Sequence, residues 1–344
     1  MPTNRVLVTG GSGFIAGHCI LQLLASGYQV CTTVRSLTRK ATVHSVLETA
    51  GMVNDHNLSF AAADLTHDTG WAEATQGADF VVHVASPVQP GHVDRDDDLI
   101  VPARDGTLRV LRAARDAGVK RVVLTSAFHA VSWGHPHTDH VFTEADWTVL
   151  DGRGVDAYGK SKTLAERAAW DFMEASTGPM ELTTMLPVAV MGPVMGNDLS
   201  GSNHLIQRIL NGGMPGFPHL FIPIVDVRDV AHAHILAMTT PRAAGQRFLL
   251  SNGPAVEMKD IGAVIRARLG AVAGNVPSRT IPNILVHIAS MVSPEIRSIA
   301  PDLGYAKKTS NEKARRLLGW TPRPPEDAIV AAAESMVDKG LVKK

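Results

Sequence analysis

RVLVTGGSGFIAGHCILQLLASGYQVCTTVRS, residues 5–36, decides the fold. Arg5 to Thr9 are mostly β-branched or leucine, the composition of a strand buried on both faces of a parallel sheet. Gly10, Gly11 and Gly13 follow, and without Cβ atoms the backbone can turn sharply there and come close to a ligand. Phe14, Ile15, Cys19, Ile20, Leu23 and Leu24 then recur at helical spacing. A helix therefore begins at the turn, with its free N–H groups and positive dipole end in position to hold an anion such as a pyrophosphate. Gly10, Gly13 and Ala16 form G-x-x-G-x-x-A, one residue wider in its first interval than the G-x-G-x-x-G dinucleotide fingerprint. Such a turn also occurs as a plain structural connection, so the rest of the chain has to discriminate.

The 344 residues suffice for a large core and a second, smaller lobe. Lys plus Arg (33) balances Asp plus Glu (33), so the global charge favours neither nucleic acid nor an anionic membrane as partner. The two cysteines, Cys19 in the first helix and Cys31 in the second strand, are expected to be buried, reduced thiols. The first strand starts four residues after Met1 and no apolar run reaches membrane-spanning length. A soluble, cytoplasmic protein is expected.

The second strand, Tyr28 to Val34, leads into Arg35, Ser36, Arg39 and Lys40, and no Asp or Glu occurs before Glu48. NAD sites usually place a carboxylate at this strand end for the ribose 2′-hydroxyl. An acid-free cluster led by Arg35 and Arg39 suits a 2′-phosphate instead, because guanidinium pairs with phosphate in a fork. NADP(H) is accordingly the expected cofactor, although the same cations also suit the solvated start of a helix. Leu58 to Ala63 is a third strand with Asp64 and Leu65 at its carboxyl end, where an open α/β sheet presents groups to a ligand. Asp64 can accept from an adenine amino group or cap the next turn. Phe80 to Val84 is a fourth strand within a segment ending HVASPV (83–88), whose Ala85 and Ser86 leave room for a nucleotide along the backbone. The charge run 94–98 opens a long helix, and Lys120 to Thr125 is a fifth strand. The strand and helix alternation predicts a doubly wound parallel sheet.

DAYGKSKTLAERAAWDF (156–172) carries the chemistry. Tyr158 and Lys162 are four apart and share one helix face. An ammonium beside a phenol stabilises the phenolate and is expected to lower the tyrosine pKa toward the range of a working proton donor. The pair is common on ordinary surfaces; its weight comes from opening the helix after the fifth strand of a nucleotide-binding sheet.

Leu182 to Leu186 is a sixth strand, and LPVAVMGP (186–193) leaves the sheet. Residues 1–190, rejoined by 225–250, form the expected Rossmann domain. The returning segment carries a helix over 225–238 and a short strand at 248–251, and residues 191–224 and 251–344 form an interleaved substrate lobe with helices over 256–269, 283–291, 309–318 and 325–338. Phe128, Trp133, Met191, Met195, Met214, Phe217 and Phe221 are candidates for an apolar pocket suited to aryl or bulky aliphatic carbonyls. Among fifteen histidines, His135, His137 and His140, or His232 with His234, raise a metal centre. The helix pair faces two sides and the loop set lacks a matching Cys or Glu cluster, so no metal site is expected.

With the glycine turn, Arg35, HVASP, VVLTS and YGKSK in this order, the chain resembles the extended short-chain dehydrogenase/reductase superfamily. Within it, the chain is similar to the branch of dihydroflavonol reductase, cinnamoyl-CoA reductase and yeast-type aldehyde and ketone reductases. The resemblance is strong from Arg5 to about Pro193 and looser beyond. It implies an NAD(P)-binding Rossmann fold and the reduction of a small carbonyl substrate, in a monomer or homodimer. It also implies that Gly10, Gly13, Phe14 and Ile15 cradle the pyrophosphate, that Asp64 and Leu65 flank the adenine, and that Ala85 and Ser86 line the nucleotide path. Lys162 would hold the nicotinamide ribose, Pro187 and Val190 would pack near the carboxamide, and Tyr158 would protonate the carbonyl oxygen.

The family motif Thr-Ser-Ser, whose second serine bonds the substrate oxygen, here reads Thr125-Ser126-Ala127. Losing such a donor can cost on the order of a hundredfold in turnover. Ser126 is the expected substitute, with Thr125, His129 or a water as other candidates. An NADPH-dependent reductase of aldehydes or ketones is the leading function. A sugar-nucleotide epimerase or hydroxysteroid dehydrogenase is the enzymatic alternative, and Ala127 raises a catalytically silent NADP-binding regulator.

Overall fold

A computed structural model describes residues 4–87, 95–199 and 201–343; Val88 and Asp94, which end two of the stretches above, lie outside the described residues. The chain begins β1 (Arg5–Thr9), α1 (Phe14–Ala25), β2 (Gln29–Val34), α2 (Lys40–Thr49), β3 (Leu58–Ala62), α3 (Trp71–Thr75), β4 (Phe80–His83) and α4 (Asp97–Asp116). It continues β5 (Arg121–Thr125), β6 (Val141–Phe142), α5 (Ala157–Ala175), β7 (Glu181–Pro187), β8 (Ala189–Met191) and α6 (Asn203–Leu210). Then come β9 (Phe221–Ile222), β10 (Ile224–Asp226), α7 (Val227–Thr239), β11 (Arg247–Leu250), β12 (Val256–Glu257) and α8 (Met258–Leu269). The chain closes with α9 (Asn283–Ser290), α10 (Pro294–Ile299), β13 (Lys308–Thr309), α11 (Glu312–Leu318) and α12 (Pro325–Asp338).

Seven strands form one sheet in the order β3-β2-β1-β4-β5-β7-β11, with every neighbouring pair parallel. The chain direction across the sheet reverses between β1 and β4, so a crevice for a dinucleotide opens at their carboxyl ends. Alternation along each strand sends Val6, Val8, Val82 and Val123 into a core shared with α1 and α7. Leu7, Val81, Val122 and Leu124 enter a core on the other face, shared with α3, α4 and α5. Both faces being covered explains why the strands read as near-continuous apolar runs. Cys19 and Cys31 are free and buried, and burial pushes the Cys19 thiol up to about 12.

A third core gathers Met191 of β8 with Ile206, Ile209, Phe217, Ile261, Ile265, Ile329 and Ala332 from α6, α8, α12 and an intervening loop. Ala314, Leu318 and Trp320 leave that company and pack into the core under α7, where the Trp320 indole N–H donates to the Asp229 carbonyl at 2.8 Å. The expected helix over 225–238 begins with a strand: Ile224–Asp226 pairs in parallel with Ala189–Met191. The helix starts only at Val227, where the Asp226 carboxylate caps it by accepting from the Arg228 N–H. β6 and β13 were not anticipated; they pair with each other and tie residues 308–309 to the loop that precedes α5.

Candidate active site

β1 delivers the chain to Gly10, whose φ of +76° belongs to the left-handed region. A Cβ there would sit 3.0 Å from that of Ala85, so the glycine lets β1 and the loop after β4 close on each other. The Gly10 and Gly11 N–H groups donate to the side chain and carbonyl of Thr33 at 2.9 Å each, which fastens the turn to β2. Gly13 precedes α1 with extended backbone, no side-chain cap and no acid in the first turn. The first N–H groups of α1, from Phe14 and Ile15 onward, are thus left for an external anion.

At the end of β2, Arg35 is exposed and its side chain has no ion pair among the described residues. Arg39, on the turn before α2, stands 3.9 Å from Asp198 with both side chains largely in solvent, a pairing of small energetic weight. Asp64 Oδ1 accepts from the Thr66 N–H at 2.9 Å and its hydroxyl at 2.8 Å. The Thr66 N–H holds the carboxyl below its ordinary range against partial burial, with Arg35 a lesser contributor. The turn-capping role of Asp64 is therefore realised. The Leu65 carbonyl accepts from Arg109 on α4 at 2.8 Å. Pro187 ends β7, and Val190 lies in β8 opposite Val225.

The Asp156 carboxylate caps α5 by accepting from the Gly159 N–H at 2.7 Å, which sets Tyr158 and Lys162 one turn apart. Lys162 Nζ lies 5.8 Å from the Tyr158 ring centroid, over its face. The expected lowering of the phenol is not found. Burial, with the nearby Asp156 charge, pushes it up to about 12. Burial likewise pulls the Lys162 ammonium down to about 8, with Glu166 opposing. The lysine, Ala85, Ser86, Ser126 and Glu166 line one cavity of ≈ 10 Å³, about the space of one water. HVASP and YGKSK, far apart in the chain, meet across it.

The strand-end hydroxyls are committed elsewhere. Ser126, expected to replace the serine missing at 127, donates to Glu166 Oε2 at 2.7 Å, so its proton is not directed at a substrate. Thr125 Oγ1 lies 2.8 Å from His234 Nε2. The other ring nitrogen, Nδ1, is 2.7 Å from the Val230 carbonyl and can only donate there. Burial pulls His234 down to about 4, leaving it neutral, so Thr125 is the donor to Nε2.

Glu166 is the residue that reading the chain missed. It is 1% exposed and also accepts from Thr184 at 2.7 Å and Arg247 Nε at 2.8 Å. Its only signal in the sequence is its place four residues after Lys162. Phe128, Met191 and Phe217, candidates for a pocket wall, are fully buried core, whereas Trp133, Met195, Met214 and Phe221 are partly buried. The histidines serve local structure: His135 bonds the Trp147 carbonyl at 2.9 Å, His137 stacks on Tyr305 and His140 meets Asp146 at 3.0 Å. Among the described residues no cluster with metal-binding composition occurs, and no helix is long and apolar enough to cross a membrane.

The model of the NAD dependent epimerase/dehydratase family matches residues 6–250. A ketoreductase of Aspergillus niger, azaE, is 33% identical over 98% of each chain. A cinnamoyl-CoA reductase of Medicago truncatula, CAD2, is 36% identical over 72% of this chain and 76% of its own. Among solved structures, the NADPH complex of Gre2 from Candida albicans superposes with a TM-score of 0.80 at 29% identity, covering 97% of this chain and 99% of that one. The NADPH complex of yeast methylglyoxal/isovaleraldehyde reductase Gre2 gives 0.82 at 27% identity, over 98% and 100%.

Proposed function

The chain belongs to the NAD dependent epimerase/dehydratase family, and within it we propose that it is an NADPH-dependent reductase converting an aldehyde or ketone to the alcohol. The observation that carries this reading is Lys162, which lies over the Tyr158 ring and shares a cavity with Ala85 and Ser86, Ala85 itself packing against Gly10 of the turn before the uncapped α1. The ketoreductase and Gre2 relatives support it.

The residues present fit the cofactor. The free N–H groups of Phe14 and Ile15, after Gly10 and Gly13, suit the pyrophosphate. The Arg35 guanidinium, without an ion pair among the described residues, and Arg39 on the following turn suit a 2′-phosphate. Asp64 retains Oδ2 for an adenine amino group, and Leu65, Pro187 and Val190 offer apolar contact. When bound, NADPH supplies the hydride that reaches the carbonyl carbon. Tyr158 gives its O–H proton to the carbonyl oxygen, which completes the alcohol and leaves a phenolate. The Lys162 ammonium at the face of the ring stabilises that phenolate until a solvent proton restores it. Held in a buried site, this charge acts more strongly than it would in water. The partly buried Trp133, Met195, Met214 and Phe221 favour an aryl or bulky aliphatic substrate.

The test is nicotinamide oxidation across a panel of ketones and aldehydes with each cofactor. Turnover with NADPH, and at least about tenfold less with NADH, is expected from the loss of one charge-assisted contact at Arg35. NADH preference would overturn the assignment of Arg35, and turnover of UDP-sugars with tightly retained NAD would favour the epimerase reading. NADPH binding without any turnover would favour the silent regulator.

A further inference from the structure

We propose that His129 is a catalytic residue that donates a hydrogen bond to the substrate carbonyl oxygen, in the role Ala127 cannot fill. The inference rests on the reductase reading above. His129 lies two residues beyond Ala127, in a tight turn whose geometry is fixed by Thr148. The Thr148 hydroxyl donates to the His129 carbonyl at 2.6 Å, its N–H donates to the Ala130 carbonyl at 3.0 Å, and its Oγ1 accepts from the Trp133 N–H at 3.1 Å. The imidazole stacks on Trp133 with ring centroids 3.7 Å apart and planes 19° from parallel. Its edge geometry to Tyr158 places those centroids 4.9 Å apart at 80°. Lys307, paired with Asp302 at 2.8 Å, lies 4.6 Å from the Trp133 ring centroid and so supports the stack.

The ring is thereby held against the phenol while neither of its nitrogens has a hydrogen-bond partner among the described residues. Thr125 and Ser126 have spent their protons on His234 and Glu166, whereas His129 keeps a donor on a ring packed edge-to-face with Tyr158. Burial, reinforced by Lys307 and Lys162 and opposed by Asp302, pulls the imidazole down to about 3. It is neutral at working pH, with one N–H to give and no charge to be neutralised. A fixed neutral donor of this kind stabilises the oxygen as negative charge develops on it. His129 keeps its proton throughout; the proton that enters the product comes from Tyr158.

The experiment compares the parent, His129→Phe, His129→Phe with Ala127→Ser, and Tyr158→Phe, using NADPH and a ketone turned over by the parent. His129→Phe keeps an aromatic ring for Trp133 but has no N–H. It is expected to lower kcat about a hundredfold, with NADPH affinity unchanged by fluorescence titration. Restoring serine at 127 in that background should return at least about tenfold, a rescue that a purely structural histidine would not allow. If His129→Phe turns over within about threefold of the parent, or if the serine returns nothing, the role of His129 is overturned. His129→Asn, which retains a donor, should lie between the parent and His129→Phe if the stack tolerates it; activity no better than His129→Phe in a folded protein also counts against the role. A parent with no carbonyl-dependent turnover overturns the reductase reading itself, and the inference with it.

Discussion

At the scale of single residues, the site is governed by burial acting on two titratable groups in opposite senses. The Tyr158 phenol is pushed up to about 12 and the Lys162 ammonium pulled down to about 8. The phenol therefore stays protonated over the working range, and the titration falls to the lysine. A base with a lowered pKa is charged below that value and neutral above it, so the ammonium that stabilises the phenolate is lost as pH rises through about 8. The kcat/KM profile should show an alkaline limb there. Lys162→Arg, whose guanidinium remains charged, should move the limb upward even where the absolute rate falls, and an unmoved limb would assign it to another group. The Tyr158 and Lys162 pair was legible in the sequence because four-residue spacing on a helix is local geometry. The rise of the phenol was not, since burial depends on how α4 and the turn at 128–130 pack against α5.

At the scale of elements, α5 is fixed to the sheet through Glu166. Its carboxylate binds Arg247 of β11, Thr184 of β7 and Ser126 beyond β5, so one buried side chain sets the distance between the helix carrying Tyr158 and three parallel strands. Arg247 also donates to the Asp146 carbonyl at 2.9 Å and lies 3.6 Å from the Trp147 ring centroid. Arg247→Ala would strand the Glu166 carboxylate, and such a loss typically costs about 3–5 kcal/mol. Urea unfolding of the variant should show a lowered midpoint, and a midpoint equal to the parent's would mean that the network carries no net stability. None of these partnerships follows from local pattern, because Arg247 and Glu166 are joined only when β11 docks beside β7. The element pattern itself was legible from the strand runs, with boundaries within a residue or two. Short strands such as Val141–Phe142 escaped because two residues carry no period.

At the scale of the molecule, three cores share one chain that crosses between them. The sheet presents the glycine turn, Arg35 and Ala85 at the carboxyl ends of the adjacent strands β1, β2 and β4, and a further core assembles α6, α8 and α12. The expectation of an interleaved second lobe came from the way regular strand and helix alternation stops near Pro193. The return of Trp320 to the first core was not readable, since a single buried indole 91 residues from its partner Asp229 leaves no local trace. In the function proposed above, Tyr158 is the proton donor that the α5 helix brings to the dinucleotide crevice of the sheet. The most direct measurement is the turnover of Tyr158→Phe with NADPH and a carbonyl accepted by the parent, alongside the NADPH dissociation constant of both proteins. Loss of a general acid of this kind should lower kcat by about a hundredfold to ten-thousandfold while NADPH affinity stays within about threefold; a variant that keeps the parent's turnover would contradict the account.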